Sequence, residues 1–210
     1  AKEEDILTSP NLIEKGIVLD KLLESIIVTE GVKLEDFVIG DKNTLLVSAR
    51  ILGYGKDYPI MIADEEVNVD LTTLKEVWLD EKNLVEKNKN EFKFKTPIGK
   101  NEITFSILDG HMEKKLEDLN KAYEKAGQSR ELTNRYKLII KSVDGKTERG
   151  DIDDFVDNLF MARDSMAFRE YINDINPDID FTAKVKLSDG FEQEVTVPMT
   201  VRFFWPNSQV

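Results

Sequence analysis

The chain has 210 residues, carries a formal net charge of −12 at pH 7 and contains no cysteine. Its acidity disfavours nucleic acid and anionic lipid as partners, and the missing cysteines exclude disulfides, thiolate nucleophiles and thiolate zinc sites. No stretch approaches the roughly 18 consecutive apolar residues of a membrane span, and the acidic start lacks the features of a signal peptide, so we expect a cytosolic protein.

Two helices are predicted in the N-terminal part of the chain. Apolar side chains between Ser9 and Gly31 recur at helical spacing, and Ser9 is placed to cap the helix start. A second helical series begins near Asp41 or Asn43 and is stopped by Gly53 and Gly55, because glycine commonly ends helices. We therefore expect this part of the chain to be mainly helical.

A hairpin is predicted after the second helix. Apolar residues alternate over residues 58–62 and again over 67–71, which is the period of a half-buried strand. With residues 63–66 as an acidic loop, Ile62 pairs with Val67, and the apolar side chains of both strands share one face.

The middle of the chain predicts a connector, a second hairpin and a helix. Residues 78–90 are charged and rich in asparagine, which indicates a connector. Phenylalanine alternates with lysine over residues 92–95 before a turn at 97–99, and residues 103–107 form the returning strand. Apolar residues at steps of three and four then predict an amphipathic helix over 111–126, which packs on the hairpin or on a partner helix.

Two more helices are predicted before a final hairpin. They cover residues 130–141 and 151–172. Asp151 is placed to cap the second of them, and Asp164-Ser165 is a candidate for a reset or kink within it. The last helix is expected to stop at Asn176, because a residue that precedes proline avoids the helical conformation.

Two loop lengths can close the final hairpin. A two-residue loop sets the apolar side chains of one strand opposite polar ones of the other. A three-residue loop with Gly190 in the left-handed conformation pairs Ala183 with Val195 instead. We predict the three-residue loop, because it places apolar side chains on the same face.

The chain ends in an alternating strand and an aromatic cluster. Apolar residues alternate over 195–203, and Phe204, Trp205 and Pro206 follow. Continuation of the strand directs Phe203 into the core and Phe204 to the opposite face. Large aromatic side chains are enriched at protein interfaces, so this cluster docks either in the protein's own core or on a partner. We favour a partner for Phe204 or Trp205.

These elements predict an α+β fold in which amphipathic helices brace antiparallel β-hairpins, with a C-terminal hairpin that has an aromatic end. We divide the chain into two parts. Residues 1–77 hold the N-terminal helices and the first hairpin, whereas residues 78–210 hold the second hairpin, the later helices and the C-terminal hairpin, and are packed as one unit.

Candidate catalytic and metal-binding residues are few. His111 is the only histidine and follows Asp109 at a helix start, so a capping or solvent-facing imidazole is expected in preference to a catalytic triad with Ser106. Two acidic groups offer oxygens to calcium without matching an EF-hand loop. They are Asp151 with Asp153 and Asp154, and Asp178 with Asp180. We predict no catalytic residue, no metal site, no cofactor and no small-molecule ligand.

Short motifs follow one another in a defined order between residues 17 and 206. They are Gly40-Asp41-Lys42, Leu45-Leu46-Val47-x-Ala49-Arg50, Gly53-Tyr54-Gly55 with Tyr58, Ser142-Val143-Asp144-Gly145, Ala162-Arg163-Asp164-Ser165, Arg169-x-Tyr171-Ile172, Pro177-Asp178-Ile179-Asp180, Val197-Pro198-Met199 and Phe203-Phe204-Trp205-Pro206. In this order, the chain resembles the baseplate hub family of contractile-tailed bacteriophages, best known from T-even phages. Some members of that family have paired cysteines at hairpin turns. At the equivalent turns this chain has Asp64-Glu65 and Ser188-Asp189 instead, so no structural zinc is expected.

The resemblance implies a non-enzymatic role at the phage tail. The protein is expected to be a baseplate hub subunit or a chaperone for hub assembly, and its partners are other phage baseplate or tail proteins. It acts in the host cytoplasm during assembly and, as a retained subunit, in the virion baseplate. Under this reading Phe204, Trp205 and Pro206 form the partner interface, and Phe203 is structural.

Three arginines are further candidates for structural roles under the same resemblance. Arg50, Arg163 and Arg169 lie within the matching motifs. We expect them to pair with carboxylates at the junctions between elements, because a guanidinium binds a carboxylate through two parallel hydrogen bonds.

Two other classes of function remain as alternatives. A tail-associated cell-wall hydrolase requires two carboxylates in a deep cleft. A calcium-dependent binding module requires clustered oxygens around Asp151 or Asp178.

Overall fold

Helices and small antiparallel sheets alternate along the chain in a computed structural model, which describes residues 2–62, 64–87 and 89–204. The α-helices are α1 (Lys2–Leu7), α2 (Pro10–Glu14), α3 (Val18–Ile26), α4 (Ile39–Tyr54), α5 (Gly110–Lys125), α6 (Glu131–Ile139), α7 (Arg149–Asp154), α8 (Ala162–Ile175) and α9 (Val201–Phe204). The strands are β1 (Asp57–Ile62), β2 (Glu65–Asp70), β3 (Lys75–Val77), β4 (Phe92–Lys95), β5 (Glu102–Phe105), β6 (Ile140–Val143), β7 (Asp178–Asp180), β8 (Thr182–Lys186) and β9 (Glu192–Thr196). The mixture of 49% helix and 22% strand confirms the predicted α+β fold.

The chain divides into two units. The discontinuous unit comprises Ala1–Val77 and Pro177–Val210, and the inserted unit comprises Trp78–Asn176. The boundary after Val77 coincides with the division drawn from the sequence. The C-terminal segment, however, groups with the N-terminal residues and not with residues 78–176, because its apolar side chains enter the core that α1, α3 and α4 form.

One apolar core holds the discontinuous unit together. Its side chains come from helices α1, α3 and α4, from strands β2 and β8, and from helix α9 near the end of the chain. The most deeply buried members include Leu7, Leu23, Val69, Leu71, Val197 and Phe203. Since residues distant in sequence share this core, its stability depends on both ends of the described chain.

The final hairpin has the predicted register. In β8 and β9, Ala183 lies opposite Val195, and Gly190 has a φ of 86°. The three-residue loop is therefore confirmed. Its last residue, Gly190, has a left-handed conformation that glycine adopts without steric cost.

The register predicted for the first hairpin is wrong by two residues. Val67 lies opposite Ile60 and not Ile62, which pairs with Glu65. The strands extend closer to the turn than expected, because backbone pairing continues into the acidic segment. A shift by two leaves the same side chains on the inner face, since strand side chains alternate.

The N-terminal helical segment is interrupted. Gly16, with a φ of 68°, separates α2 from α3, so the single helix predicted between Ser9 and Gly31 is wrong. A residue in the left-handed region cannot continue a right-handed helix. The second predicted helix is confirmed as α4, and Gly55 follows it with a φ of 87°.

The terminal strand is shorter than predicted. Strand β9 ends at Thr196, and Pro198 has no backbone N–H to donate to a strand ladder. Helix α9 follows, and a helix turns successive side chains by about 100° instead of placing them on opposite faces. Phe203 and Phe204 are both buried as a result, so the prediction that Phe204 faces away from the core is wrong.

A three-stranded antiparallel sheet of β4, β5 and β6 forms part of the inserted unit. Phe92 lies opposite Phe105, and Phe94 opposite Ile103, which confirms the second predicted hairpin. The predicted helix over 130–141 ends earlier, at Ile139, and β6 begins at Ile140. Ile140 pairs with Phe105 and is buried, so a β-branched side chain completes the sheet where the sequence suggested a last helical turn.

Aromatic side chains fill the core of the inserted unit around Phe168, which is fully buried. Its ring centroid lies 4.8 Å from that of Phe105, 5.2 Å from that of Phe94 and 5.5 Å from that of Tyr136. Tilted and edge-to-face pairs at such distances add stability beyond the buried area. Helix α8, which carries Phe168, is therefore fixed against the sheet and against α6.

Helix α7 runs into a π-helical turn, Phe155–Leu159, and α8 begins at Ala162. The predicted kink at Asp164-Ser165 is wrong, because the extended backbone of Phe160 and Met161 interrupts the helix before Ala162. Asp151 lies inside α7, and Glu148 precedes the helix, so the prediction of Asp151 as the cap is wrong. Helix α8 ends at Ile175, next to Asn176, as predicted.

Helix α5 lies beside α6. Asp109 caps its start, because an oxygen of its carboxylate accepts a hydrogen bond from the backbone N–H of Met112 at 2.8 Å. The amide of Asn134 donates to Asn120 at 3.0 Å and joins the two helices. In α5, which the structure describes completely, no residue is fully buried.

Helix α4 approaches the start of β7 so closely that only glycine fits at position 40. A Cβ atom on Gly40 would lie 1.8 Å from the carbonyl oxygen of Pro177 and 2.5 Å from its carbonyl carbon. One turn further along the helix, the amide of Asn43 donates to a carboxylate oxygen of Asp178 at 2.9 Å. These contacts attach the segment after residue 176 to α4.

We expect Gly40→Ala to lower the free energy of unfolding by about 1 to 3 kcal/mol or more, because rigid backbone must move to accept the methyl group. Gly53→Ala in the same helix is the matched control, since a Cβ there meets nothing within 4 Å. It is expected to be neutral or to stabilise by up to about 1 kcal/mol. Urea denaturation of both variants measures the difference, and equal midpoints would contradict the close approach.

The carboxylate of Asp70 accepts hydrogen bonds from the ammonium of Lys56 and from the hydroxyl and backbone N–H of Thr72. These hydrogen bonds lower the pKa of Asp70 from 3.8 to about 2, and the bond from Lys56 makes the largest contribution. The pKa is lower in the folded state, so these bonds stabilise the fold above the ordinary pKa, and their contribution disappears as the pH falls towards 2.

Carbon-13 NMR titration of the Asp70 carboxyl group is expected to show this low pKa. In Lys56→Gln the pKa of Asp70 should rise towards its ordinary value, whereas Lys33→Gln, which removes an exposed cation elsewhere, should leave it unchanged. An ordinary pKa for Asp70 in the parent protein would contradict the hydrogen-bonded geometry.

Candidate functional site

Arg50 binds three separate parts of the discontinuous unit. Its Nε donates to the carbonyl oxygen of Phe203 at 3.0 Å, its Nη1 to that of Gly55 at 2.9 Å and its Nη2 to that of Asp57 at 3.3 Å. The residue is only 3% exposed. The guanidinium therefore joins the end of α4, the start of β1 and helix α9.

Aromatic rings enclose this guanidinium. Its central carbon lies 5.2 Å from the ring centroid of Tyr54 and 5.9 Å from that of Tyr58, distances at which a cation is attracted to a ring face. Burial lowers the pKa of Arg50, and the two tyrosines act in the opposite direction. The predicted carboxylate partner of Arg50 is therefore wrong, because backbone carbonyls take its place.

The aromatic end of the chain packs on the same group. The ring of Phe203 lies 5.5 Å from that of Tyr58, and the ring of Phe204 lies 6.2 Å from that of Tyr54. We call these four rings and Arg50 the Arg50 cluster. Phe204 is 2% exposed, so the structure gives it a place in its own core and not at a partner surface. Trp205 and Pro206, the other predicted interface residues, lie outside the described residues.

The other two predicted arginines are not part of the Arg50 cluster. Arg163 and Arg169 lie on α8 of the inserted unit, and both side chains are exposed. Across residues 2–62, 64–87 and 89–204, neither forms an ion pair with a carboxylate. The predicted carboxylate pairing is thus wrong for both, because α8 turns them towards solvent.

Asp164 has a hydrogen-bonding role that the sequence analysis did not predict. Its carboxylate is 2% exposed and accepts hydrogen bonds from the backbone N–H groups of Ile98, at 2.7 Å, and Gly99, at 2.9 Å. The turn between β4 and β5 is thereby fixed to the start of α8. The available signal was an acidic residue in the first turn of a helix.

Four apolar side chains on the segments that Asp164 joins are exposed to solvent. Leu159 is 60% exposed, Met161 51%, Met166 50% and Ile98 42%. We call these four residues, together with Arg163, the Met161 corner. Its members belong to the π-helical turn, to the start of α8 and to the turn that Asp164 holds. The sequence analysis missed them, because apolar spacing alone does not show which helical residues remain uncovered.

The candidate acidic groups already bind protein donors. Asp151 pairs with Lys146 at 3.6 Å. Asp178 accepts from the amide of Asn43, and Asp180 accepts from the backbone N–H of Thr182. Within the described ranges, no group of three or more histidine, aspartate and glutamate side chains is arranged to hold a metal ion.

No helix in the described part of the chain is long and apolar enough to cross a membrane. Comparison of the chain with protein-family models, with curated proteins and with solved structures gives no match. The resemblance to the phage baseplate hub family therefore stays a hypothesis that depends on short motifs. Among the described residues, the exposed apolar side chains of the Met161 corner are a structural feature that can be tested for function.

Arg50→Lys is expected to lower the free energy of unfolding by about 2 to 4 kcal/mol, because one ammonium cannot reach all three carbonyls and leaves buried acceptors without donors. Arg163→Lys is the matched control: the same replacement at an exposed arginine should change the stability by less than about 0.5 kcal/mol. Urea denaturation followed by tryptophan fluorescence measures both. Equal losses would show that the carbonyl contacts of Arg50 contribute little.

Proposed function

We propose that this protein is a non-enzymatic subunit of a phage tail baseplate hub, or a chaperone for hub assembly, which acts by binding other baseplate or tail proteins. The observation that carries the proposal is the Met161 corner, where large apolar side chains are exposed on a fixed backbone. The motif Ala162-Arg163-Asp164-Ser165, which contributes to the resemblance, lies within this corner.

The chemistry of the corner suits a protein partner. Methionine and arginine are enriched at protein interfaces, and methionine adapts its shape to a partner surface. Arg163 lies between two exposed methionines in the sequence, so an apolar contact and a charged contact are available together. Burial of such side chains by a partner removes apolar surface from water and stabilises the complex.

The backbone of the corner is already ordered before any partner binds. Asp164 fixes the turn at Ile98 and Gly99 through two hydrogen bonds, and the buried ring of Phe168 fixes α8 one turn later. Binding to an ordered surface loses less conformational entropy than binding to a flexible one. These contacts support a role in which the protein presents a rigid surface during assembly.

A phage that carries this gene provides the test. We expect the triple variant Leu159→Ser, Met161→Ser and Met166→Ser to keep its thermal midpoint within a few degrees, because the replaced side chains are exposed. Its co-sedimentation with hub intermediates from infected cells should fall at least about tenfold, since central apolar contacts typically contribute 1 kcal/mol or more each.

A matched triple variant controls for the loss of apolar surface as such. Val28→Ser, Leu52→Ser and Phe191→Ser replace apolar side chains of the discontinuous unit that are even more exposed, and they should leave co-sedimentation unchanged. Mass spectrometry of purified particles, compared with the intermediates, separates a retained subunit from a released chaperone. Absence of the parent protein from both, or equal losses in the two triple variants, would refute the proposal.

A further inference from the structure

The inserted unit contains a cleft of about 410 Å³ at the start of α6. Three arginines line it: Arg130 directly before the helix, Arg135 on α6 and Arg169 on α8. Glu131 is the one acidic residue in the lining. The positive end of the α6 dipole adds to the positive potential there.

Within the part of the chain that the structure describes, these arginines have no carboxylate partner, in contrast to Lys137 and Arg149 of the same unit. Lys137 pairs with Asp157, and Arg149 pairs with Asp153 at 3.1 Å. In the described ranges of the chain, by contrast, none of the three cleft arginines forms an ion pair. Acidic residues outnumber basic ones by 41 to 29 in the chain, whereas the cleft has three arginines and one glutamate, so it is locally positive in an acidic protein.

Buried contacts hold the cleft in place. The hydroxyl of Tyr136, on α6, is 3.1 Å from the carbonyl oxygen of Ser165 on α8 and donates a hydrogen bond to it, so the two helices that carry Arg135 and Arg169 are joined. Both arginines lie close enough to act on Tyr136, whose pKa is raised mainly by burial. The guanidinium carbon of Arg130 lies 5.7 Å from the ring centroid of Tyr123 and is thereby positioned at the cleft.

We propose that this cleft binds the carboxylates of an acidic segment in a partner protein. Guanidinium groups bind carboxylates through paired hydrogen bonds, and three in one cleft can engage several carboxylates of one segment. Leu132, also in the lining and 40% exposed, offers an apolar contact that a polypeptide can use and an inorganic ion cannot.

The position of the cleft on α8 connects it to the Met161 corner. Arg169 follows Met166 by three residues, so the two side chains are neighbours on the helix surface. The inference rests on the proposed function in one respect, because the acidic segment is assigned to a protein that binds the corner. The cleft also specifies the chemistry of that partner, which should have apolar residues flanked by aspartate or glutamate in its binding segment.

NMR titration of the full chain, labelled with nitrogen-15, tests the cleft directly. The probe is a hexaglutamate peptide, and hexaglutamine and inorganic phosphate are the comparison ligands. We expect hexaglutamate to shift the Nε–H resonances of Arg130, Arg135 and Arg169 with saturation. Phosphate at equal charge concentration should bind at least tenfold more weakly, and hexaglutamine should cause no shift.

Matched variants show whether the arginines carry the binding. Arg130→Gln, Arg135→Gln and Arg169→Gln together should weaken hexaglutamate binding at least tenfold. Lys93→Gln, Lys95→Gln and Lys141→Gln remove the same charge from exposed positions of the same unit and should change it by less than twofold. Amide spectra of each variant establish that it is folded, and Arg→Lys replacements provide a second set that keeps the charge.

Three results would overturn the proposal. If the arginine and lysine triple variants weaken hexaglutamate binding equally, binding depends on overall charge and not on the cleft. If phosphate binds as tightly as hexaglutamate, the cleft is a site for small oxyanions. Self-association of the parent that the arginine variant abolishes would assign the cleft to a second copy of the chain. The two tests are independent of each other. The peptide titration contains no phage component, so its result can be interpreted even where the hub role fails. Loss of hexaglutamate binding, in turn, does not affect the co-sedimentation test of the Met161 corner.

Discussion

The fold of the discontinuous unit depends on one buried cation whose hydrogen bonds are accepted by backbone carbonyl groups. Arg50 brings a full charge into an apolar core, and such a charge is tolerated only where hydrogen bonds replace its hydration. Its three acceptors belong to segments that are far apart in the sequence, so the side chain fixes their relative positions. The carbonyl of Phe203 is one of them, and the aromatic end of the chain consequently becomes part of the core.

The inserted unit uses the complementary arrangement. Asp164 is a buried anion that backbone N–H groups satisfy, in the turn between β4 and β5. In both units a charged side chain binds main-chain atoms and so orders a turn or a terminus that hydrophobic packing alone would leave variable. Around Asp164 this order extends to exposed apolar residues, which distinguishes the Met161 corner from an ordinary flexible loop.

The sequence predicted those features that local physical chemistry determines. The apolar period identified α4 and the β4–β5 hairpin, and the requirement that apolar side chains share one face predicted the register of β8 and β9. The register of β1 and β2 was wrong, because two alignments that differ by two residues bury the same side chains. The partners of Arg50 were also wrong, because carbonyl acceptors occur at every residue and leave no trace in the sequence.

The shared core also determines the order in which the units are completed during synthesis. All residues of the inserted unit leave the ribosome before Val197, Phe203 and Phe204, which the core of the discontinuous unit requires. The inserted unit can fold while translation continues, whereas α1 to α4 must wait with their apolar faces uncovered until the last helix arrives. During that interval the N-terminal half of the nascent chain is the part most exposed to aggregation and to chaperones.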